Sequence, residues 1–182
     1  MVLVYVGDVY KMKTNYIAIA AITLDGKIAK GKNHMSDWTS PEDKVFMRAL
    51  LAKCDVVIVG NNTYKTAIKP LSKRNCIVFS RSVNKPVRKS GNLLFINPNK
   101  TNTKKLIGKL GHRNIAILGG AQTYTYCLEN EMLDELYLTV EPIVFGQGIV
   151  LFTSSKDLNR TFQLVSMEKL NEQGTLLLKY KH

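Results

Sequence analysis

Short apolar runs alternate with segments of helical periodicity over the first 130 residues of the chain. Continuous apolar runs of about four to eight residues are typical of strands buried on both faces of a sheet. The runs that predict strands lie at 16–22, 55–59, 75–79, 93–96 and 114–118. The segments that predict helices lie at 41–53, 62–67, 101–110 and 121–128. This alternation predicts right-handed βαβ units and a parallel sheet.

The pattern changes after residue 130, where three apolar runs follow one another without a helix long enough to cross between them. These runs, at 136–140, 162–167 and 175–180, predict strands, and the last two predict a hairpin at one edge of the sheet. We predict a single α/β domain over residues 15–182, with a mostly parallel central sheet flanked by helices and an antiparallel C-terminal hairpin. Residues 1–14 are predicted to be an N-terminal extension. Ligand-binding loops are expected at the carboxyl ends of the parallel strands.

The composition is that of an ordinary globular protein. Of 182 residues, 45% are hydrophobic and 22% charged, and no apolar run approaches the roughly 18 residues of a membrane span. The N-terminus lacks the basic start of a secretory signal. The three cysteines, Cys54, Cys76 and Cys127, are expected to be reduced. We predict a cytoplasmic protein without membrane contact, metal or covalent nucleophile, because neither metal-ligand spacing nor a GxSxG motif occurs.

The net charge of +12 is concentrated in the middle of the chain. No acidic residue lies between Asp55 and Glu129, and this interval holds 13 of the 26 lysines and arginines. Such a surface attracts anions, either nucleic acid or the phosphates of a small molecule such as a dinucleotide. The surplus charge is also compatible with a purely solubilising role. Few aromatic residues are interleaved with the basic ones, which disfavours nucleic-acid binding.

Two glycine-containing turns at predicted strand ends are candidate phosphate sites. Gly119-Gly120 ends one strand and opens a helix, where free backbone N–H groups can meet a pyrophosphate, although a simple tight turn explains it as well. The segment 60–63, Gly-Asn-Asn-Thr, has the same placement after another strand. Ser80-Arg81 follows a third strand and adds a hydroxyl and a charge. The Rossmann fingerprint GxGxxG is absent.

Asp43 has two interpretations. Ser40 and Pro41 predict the start of a helix, and an acid in its first turn is favoured by the helix dipole. Alternatively, the Asp43 carboxylate points into a cleft, where it pairs with the amidine-like edge of a heterocycle. Trp38, the only tryptophan, precedes this helix and is a candidate wall of that cleft, or a simple packing residue.

Taken in chain order, these segments resemble the dihydrofolate reductase superfamily, which includes dihydrofolate reductase and the reductase domain of riboflavin biosynthesis. The resemblance covers residues 16–180 and implies that fold. In the run from Trp38 to Asp43, it implies that Asp43 is the catalytic carboxylate, with Trp38 beside it and Thr139 supporting it. Further implied substrate contacts are Ile19, Ala21, Met47 and, for the glutamate tail of folate, Arg74.

The same resemblance implies NADPH as the cofactor. Ser80 and Arg81 would contact the adenosine 2′-phosphate, which favours NADPH over NADH. Segment 119–124 fits the motif GGxxxY, whose Gly-Gly bond is cis in the superfamily. The residues that the resemblance assigns to the cofactor are Ala21, Ile28, Gly60, Asn61, Asn62, Thr63, Ser80, Arg81, Gly119, Gly120, Ala121, Gln122, Thr123 and Tyr124.

The function expected from this resemblance is NADPH-dependent reduction of 7,8-dihydrofolate to tetrahydrofolate, in one-carbon metabolism. The alternative is reduction of a ribosylamino-pyrimidine phosphate in riboflavin biosynthesis, which segments 24–29 and 144–148 favour. A third possibility is a basic nucleic-acid-binding domain. The expected partner is a small-molecule substrate, dihydrofolate, bound by a monomer or homodimer.

Overall fold

A computed structural model describes residues 14–32, 34, 36–154 and 157–182. Its strands are β1 Asn15–Thr23, β2 Lys27–Ala29, β3 Val56–Gly60, β4 Cys76–Phe79, β5 Val87–Ser90, β6 Leu93–Ile96, β7 Asn114–Ile117, β8 Glu135–Glu141, β9 Ile149–Val150, β10 Gln163–Lys169 and β11 Leu176–Lys181. Its helices are α1 Pro41–Leu51, α2 Asn61–Thr66, α3 Ile68–Leu71, α4 Thr103–Leu110 and α5 Ala121–Glu129, with a 3₁₀ turn at Ser36–Trp38. Of the predicted N-terminal extension, 1–13 lie outside the described residues.

Nine of these strands form one sheet in the order β10-β11-β8-β1-β7-β3-β4-β6-β5. The six strands from β8 to β6 in that order pair in parallel. β11 pairs antiparallel with both β8 and β10, and β5 pairs antiparallel with β6. The predicted α/β class, the mostly parallel sheet and the antiparallel C-terminal hairpin are therefore confirmed. The short β2 and β9, neither of which the sequence pattern predicts as a strand, pair antiparallel with each other in a separate ladder.

Both faces of the central strands are buried, which explains their continuous apolar runs. One face packs against α4 and α5, and its buried strand residues include Ala18, Ile58, Ile115 and Ile117. The other face packs against the ends of α1 and α3, and its buried strand residues include Ile19, Val57, Val59 and Val78. The hydrophobic core thus lies in two layers on either side of a rigid sheet, whose carboxyl edge carries the loops.

The N-terminus of α1 is built as the sequence predicts. The Ser40 hydroxyl accepts a hydrogen bond from the backbone N–H of Asp43, with 3.3 Å between the two heavy atoms, and Pro41 is the first helical residue. Asp43 and Leu51 are the buried residues of this helix. The two interpretations of Asp43 are compatible, because its backbone completes the cap while its side chain turns inward.

No helix in the described part of the chain combines the length and the apolar character that crossing a bilayer requires.

Candidate active site

The predicted phosphate turns meet at the carboxyl edge of the sheet. The backbone N–H of Gly60, at the end of β3, donates a hydrogen bond to the carbonyl oxygen of Gly119, after β7, over 2.7 Å. A side chain on Gly60 would place its Cβ 2.8 Å from Oγ1 of Thr123. Real Cβ atoms do not approach other atoms so closely, so the two turns pack backbone to backbone because Gly60 is a glycine.

Two helices begin at this edge without a side-chain cap. α2 follows Gly60 and α5 follows Gly120, and neither of these residues supplies a side-chain acceptor to its helix. The first N–H groups of a helix lack intrahelical partners and carry partial positive charge. The Gly119–Gly120 peptide is cis, as the resemblance implied. The predicted cofactor residues in these two first turns are Asn61, Asn62 and Thr63 of α2 and Ala121, Gln122 and Thr123 of α5.

Asp43 lies at the same edge, with a side chain only 6% exposed. Its carboxylate accepts hydrogen bonds from the side chains of Thr139, on β8, and Thr39, before α1. Burial raises the pKa of Asp43, and the negative charge of Glu141 raises it further, while the two threonine bonds and Lys44 act in the opposite direction. The structure thus brings together Asp43 and its predicted supporting residue Thr139.

Tyr124 connects α5 to β1 beside this carboxylate. Its hydroxyl donates a hydrogen bond to the carbonyl oxygen of Ile19 over 2.5 Å, and its ring lies against Gly119, where a Cβ would come within 2.5 Å of it. Burial, followed by the charge of Asp43, raises the pKa of Tyr124, so the hydroxyl remains a donor. Tyr124 was predicted to contact the cofactor, and in the structure its hydroxyl is directed to β1.

Trp38 and Phe145 form an aromatic wall close to the start of α1. Their ring centroids are 5.0 Å apart in an edge-to-face arrangement. Nε1 of Trp38 is a buried donor without a hydrogen-bond partner among the described residues. The carboxylate of Asp25 holds this wall in place, because it accepts the backbone N–H groups of Phe145 and Gly146 at 3.1 and 2.9 Å. Segments 24–29 and 144–148, both noted in the sequence, therefore pack on each other.

The other predicted contacts occupy varied positions. Ser80 is buried after β4 and its hydroxyl lies 2.7 Å from that of Ser82, whereas Arg81 is exposed. Ile19 is buried within the sheet, with its backbone carbonyl bound to Tyr124. Three further predicted contacts are half-buried: Ala21, Ile28 and Met47.

Arg74 lies beside the C-terminal end of α1, the helix whose first turn carries Asp43. Its Nη1 donates a hydrogen bond to the carbonyl oxygen of Leu51, the last residue of α1, over 2.7 Å. Leu51 follows Asp43 by eight positions, which corresponds to about 12 Å along the helix axis. The guanidinium therefore closes the C-terminus of α1, at the amino end of the sheet.

The sequence analysis assigned no role to three neighbours of the site: Thr39, Glu141 and Phe145. Glu141 had a partial signal: it follows Thr139 by two residues, one position beyond the predicted strand 136–140, and residues two apart on a strand share one face. Phe145 lies in a segment that the sequence analysis used for the resemblance without assigning the residue a role.

The chain matches the family model described as the RibD C-terminal domain over residues 15–176. It is 30% identical to the uncharacterized protein YwjB of Bacillus subtilis (strain 168) over 173 residues, 90% of this chain and 92% of that protein. RibD of Acinetobacter baumannii has a similar fold, with a TM-score of 0.74, 18% identity and coverage of 94% of this chain and 58% of that one. A pyrimidine reductase-like protein of Corynebacterium diphtheriae has a TM-score of 0.69, 16% identity and coverage of 92% and 91%.

These matches correct the predicted function. The superfamily resemblance holds, but dihydrofolate reduction is wrong, and with it the tetrahydrofolate and one-carbon assignments, because the matching model is the RibD C-terminal domain. The prediction depended on the run from Trp38 to Asp43, in which an acid occurs in both branches of the superfamily, and on Arg74. In the structure the guanidinium of Arg74 donates a hydrogen bond to the carbonyl oxygen of Leu51 at the end of α1.

Proposed function

We propose, because this chain belongs to the family of RibD C-terminal domains, that it is an NADPH-dependent reductase of a ribosylamino-pyrimidine phosphate. The observation that carries the proposal is the buried carboxyl group of Asp43, held by Thr139 and Thr39 at the edge of the sheet where the uncapped helices begin. Buried acids with raised pKa values at such edges are typical of proton-transfer sites.

The residues at this edge suit a dinucleotide. The uncapped N-termini of α2 and α5 offer backbone donors for its phosphates, and Gly60 and Gly119 keep the two turns in contact. Arg81, exposed after β4, offers a charge for a 2′-phosphate. NADPH supplies a hydride when it is bound.

The substrate class sets what the protein side chains must do. A ribosylamine accepts a hydride at C1′ after its ring opens, when the N–H proton has moved to the ring oxygen and a C=N bond has formed. The hydride then adds to carbon and a proton adds to nitrogen, which leaves an open ribityl chain. The site therefore needs a group that holds a proton near the substrate nitrogen. Asp43 is suited to this role, because burial lets its carboxyl keep a proton to higher pH than an exposed aspartate.

Trp38 is suited to orienting the substrate. Its buried Nε1–H has no acceptor among the described residues, and an unsatisfied buried donor costs about 1–3 kcal/mol. A carbonyl or phosphate oxygen of the substrate would remove that cost. The indole ring, held against Phe145, would at the same time shield one side of the substrate from water.

The test is NADPH oxidation by the purified protein with the ribosylamino-pyrimidine phosphate, and separately with dihydrofolate. We expect turnover with the first substrate only, and a product that carries two additional hydrogens by mass spectrometry. Asp43→Asn should lower kcat by about 100-fold or more, as expected for loss of a proton-transfer group.

Asp37→Asn is the matched control, since it removes the same charge from an exposed residue of the 3₁₀ turn. It should leave kcat unchanged. Wild-type protein that binds NADPH but does not reduce this substrate would contradict the proposed function. Full activity of Asp43→Asn would contradict the role of Asp43.

A further inference from the structure

A second acidic side chain is buried beside Asp43 and has no role in the reaction described above. Glu141 is the last residue of β8, and it is 4% exposed. Its Oε1 accepts a hydrogen bond from the backbone N–H of Ser40 over 2.7 Å, and its Oε2 accepts one from the Thr175 hydroxyl, also over 2.7 Å. Glu141 therefore joins the cap of α1 to β8 and to the residue that precedes β11.

A polar network extends from Thr175 back to α1. The Asn171 side chain accepts the backbone N–H of Thr175 at 3.1 Å and donates to the Thr175 hydroxyl at 3.0 Å. The same amide group donates to the carboxylate of Glu42 in the first turn of α1, at 3.1 Å. The turn of the C-terminal hairpin is thus bound to the helix end that carries Asp43.

Both carboxylate oxygens of Glu141 act as acceptors in these contacts. A glutamine would keep the oxygen that accepts the Ser40 N–H, but its amide N–H groups would replace the acceptor of the Thr175 hydroxyl, which already accepts a hydrogen bond from Asn171. Among the described residues, no salt bridge pairs Glu141 with a cation. A negative charge at this buried position therefore acts on the groups packed around it, of which Asp43 is one.

The ionisable groups that face Asp43 come from three elements. Glu141 on β8 disfavours the charged form of Asp43, Lys44 on α1 favours it, and Tyr124 on α5 is itself a neutral donor. Glu42 lies in the same helical turn but is exposed and bound to Asn171. Glu141 is the buried acid of this set whose strand also supplies Thr139, the hydrogen-bond partner of Asp43.

We propose that Glu141 is a positioning residue for Asp43: its buried carboxylate holds the start of α1 through the Ser40 N–H, on the face of β8 that also carries Thr139. Its role in the reaction rests on the proposed function, whereas its effect on Asp43 does not. Because a like charge favours the neutral form of a carboxyl group, removal of the Glu141 charge should make Asp43 lose its proton at lower pH.

The decisive experiment is a ¹³C NMR titration of the Asp43 carboxyl group in the full chain, with the signal assigned by its absence in Asp43→Asn. In Glu141→Gln we expect the titration midpoint of Asp43 to move to lower pH. Glu135→Gln is the control for removing a carboxylate from the same face at the other end of β8, where Glu135 is paired with Lys179 and Lys181. It should leave the midpoint unchanged. An unchanged midpoint in Glu141→Gln would overturn the proposal.

Activity gives a separate readout. The high-pH limb of kcat should move to lower pH in Glu141→Gln by the same amount as the NMR midpoint, with the KM for NADPH unchanged. If wild-type protein lacks the reductase activity but the NMR midpoint still moves, the proposed function fails and the assignment of Glu141 stands. If the NMR midpoint of Asp43 moves but the high-pH limb of the kcat–pH profile stays in place, the part of the proposal that concerns the reaction is overturned.

If Glu141→Gln does not fold, Thr175→Val decides the question, because it keeps both carboxylates and removes the hydroxyl bound to Oε2. We expect amide hydrogen exchange at Ser40 to become about tenfold faster, since the acceptor of that N–H is held less firmly. Exchange at Ser40 and a titration of Asp43 that both match wild type would overturn the proposal.

Discussion

Gly60 and Gly119 are joined by a backbone hydrogen bond of 2.7 Å between the turns that follow β3 and β7. The contact leaves no room for a side chain on either residue: a Cβ on Gly60 would meet Thr123, and a Cβ on Gly119 would meet the Tyr124 ring. The position of Tyr124, and through it the link between α5 and β1, therefore depends on glycine at position 119.

Gly119→Ala should destabilise the protein more than a positive φ alone explains. Gly119 has a φ of 84°, which costs other residues about 1–2 kcal/mol, and the clash with Tyr124 should add about 1–3 kcal/mol. Urea denaturation measures the sum. Gly174→Ala is the control, because Gly174 has a φ of 96° but no atom within 4 Å of the added Cβ. Equal losses for the two variants would contradict the clash.

Asp43→Asn should make the free energy of unfolding less dependent on pH. Burial raises the pKa of Asp43 above its ordinary 3.8, so the folded chain holds this proton at pH values where the unfolded chain has released it. The wild-type free energy of unfolding therefore loses a contribution as pH rises from about 4 through the folded-state pKa. We expect Asp43→Asn to be at least as stable as wild type at neutral pH, with the difference between them shrinking at pH 3. Thermal unfolding between pH 3 and 8 tests this; a variant less stable at neutral pH would contradict it.

Arg81→Ala should weaken NADPH binding selectively. Loss of one charge-assisted hydrogen bond to the 2′-phosphate corresponds to a rise of about 10- to 100-fold in the Kd for NADPH, with little change for NADH. Arg88→Ala is the control variant. Arg88 is also exposed, but its guanidinium donates to the carbonyl oxygen of Gly91 in the turn between β5 and β6. Fluorescence titration measures the Kd of each variant for NADPH and for NADH. Equal weakening of NADPH and NADH by Arg81→Ala would remove the 2′-phosphate assignment.

Arg74→Ala should affect stability and not substrate binding. Its hydrogen bond to Leu51 at the end of α1 is worth about 1 kcal/mol, which urea denaturation can measure. The KM for the substrate should stay at the wild-type value. Lys73→Ala, an exposed neighbour, should change neither quantity. A higher KM in Arg74→Ala alone would mean that this arginine reaches the substrate after all.

Most of the strands that could be predicted are those whose pattern reflects burial; β10, which was also predicted, is exposed throughout. The runs 16–22 and 114–118 predicted β1 and β7 because both faces of these strands are covered. β5 and β9 gave no such signal, since most of their residues are exposed and they have only four and two residues. Pairing with a longer strand, rather than their own sequence, determines that they are strands.

The parts of the site that could be predicted are those that short motifs mark, either within one run or, through the resemblance, in separate segments such as Asp43 and Thr139. Trp38 and Asp43 belong to one short run, and the cap of α1 fixes their geometry locally. Glu141 and Thr175 become neighbours only through the pairing of β8 with β11, which sequence spacing does not reveal. The motif containing Arg74 did not reveal the hydrogen bond of its guanidinium to Leu51, because that contact depends on how the segment before β4 packs against the end of α1.

The hydrogen bonds around Glu141 also determine when, during protein synthesis, the surroundings of Asp43 can form. Asp43 and Ser40 leave the ribosome early, whereas Thr175, which holds the Glu141 carboxylate, leaves more than a hundred residues later. N-terminal segments can fold while synthesis continues, but the hydrogen bonds of Glu141 to Ser40 and Thr175 can form only after the strand that follows Thr175 has been made. A nascent chain therefore contains its acid long before it has the surroundings that give the acid its chemistry, and products of premature termination before residue 175 should be inert rather than partly active.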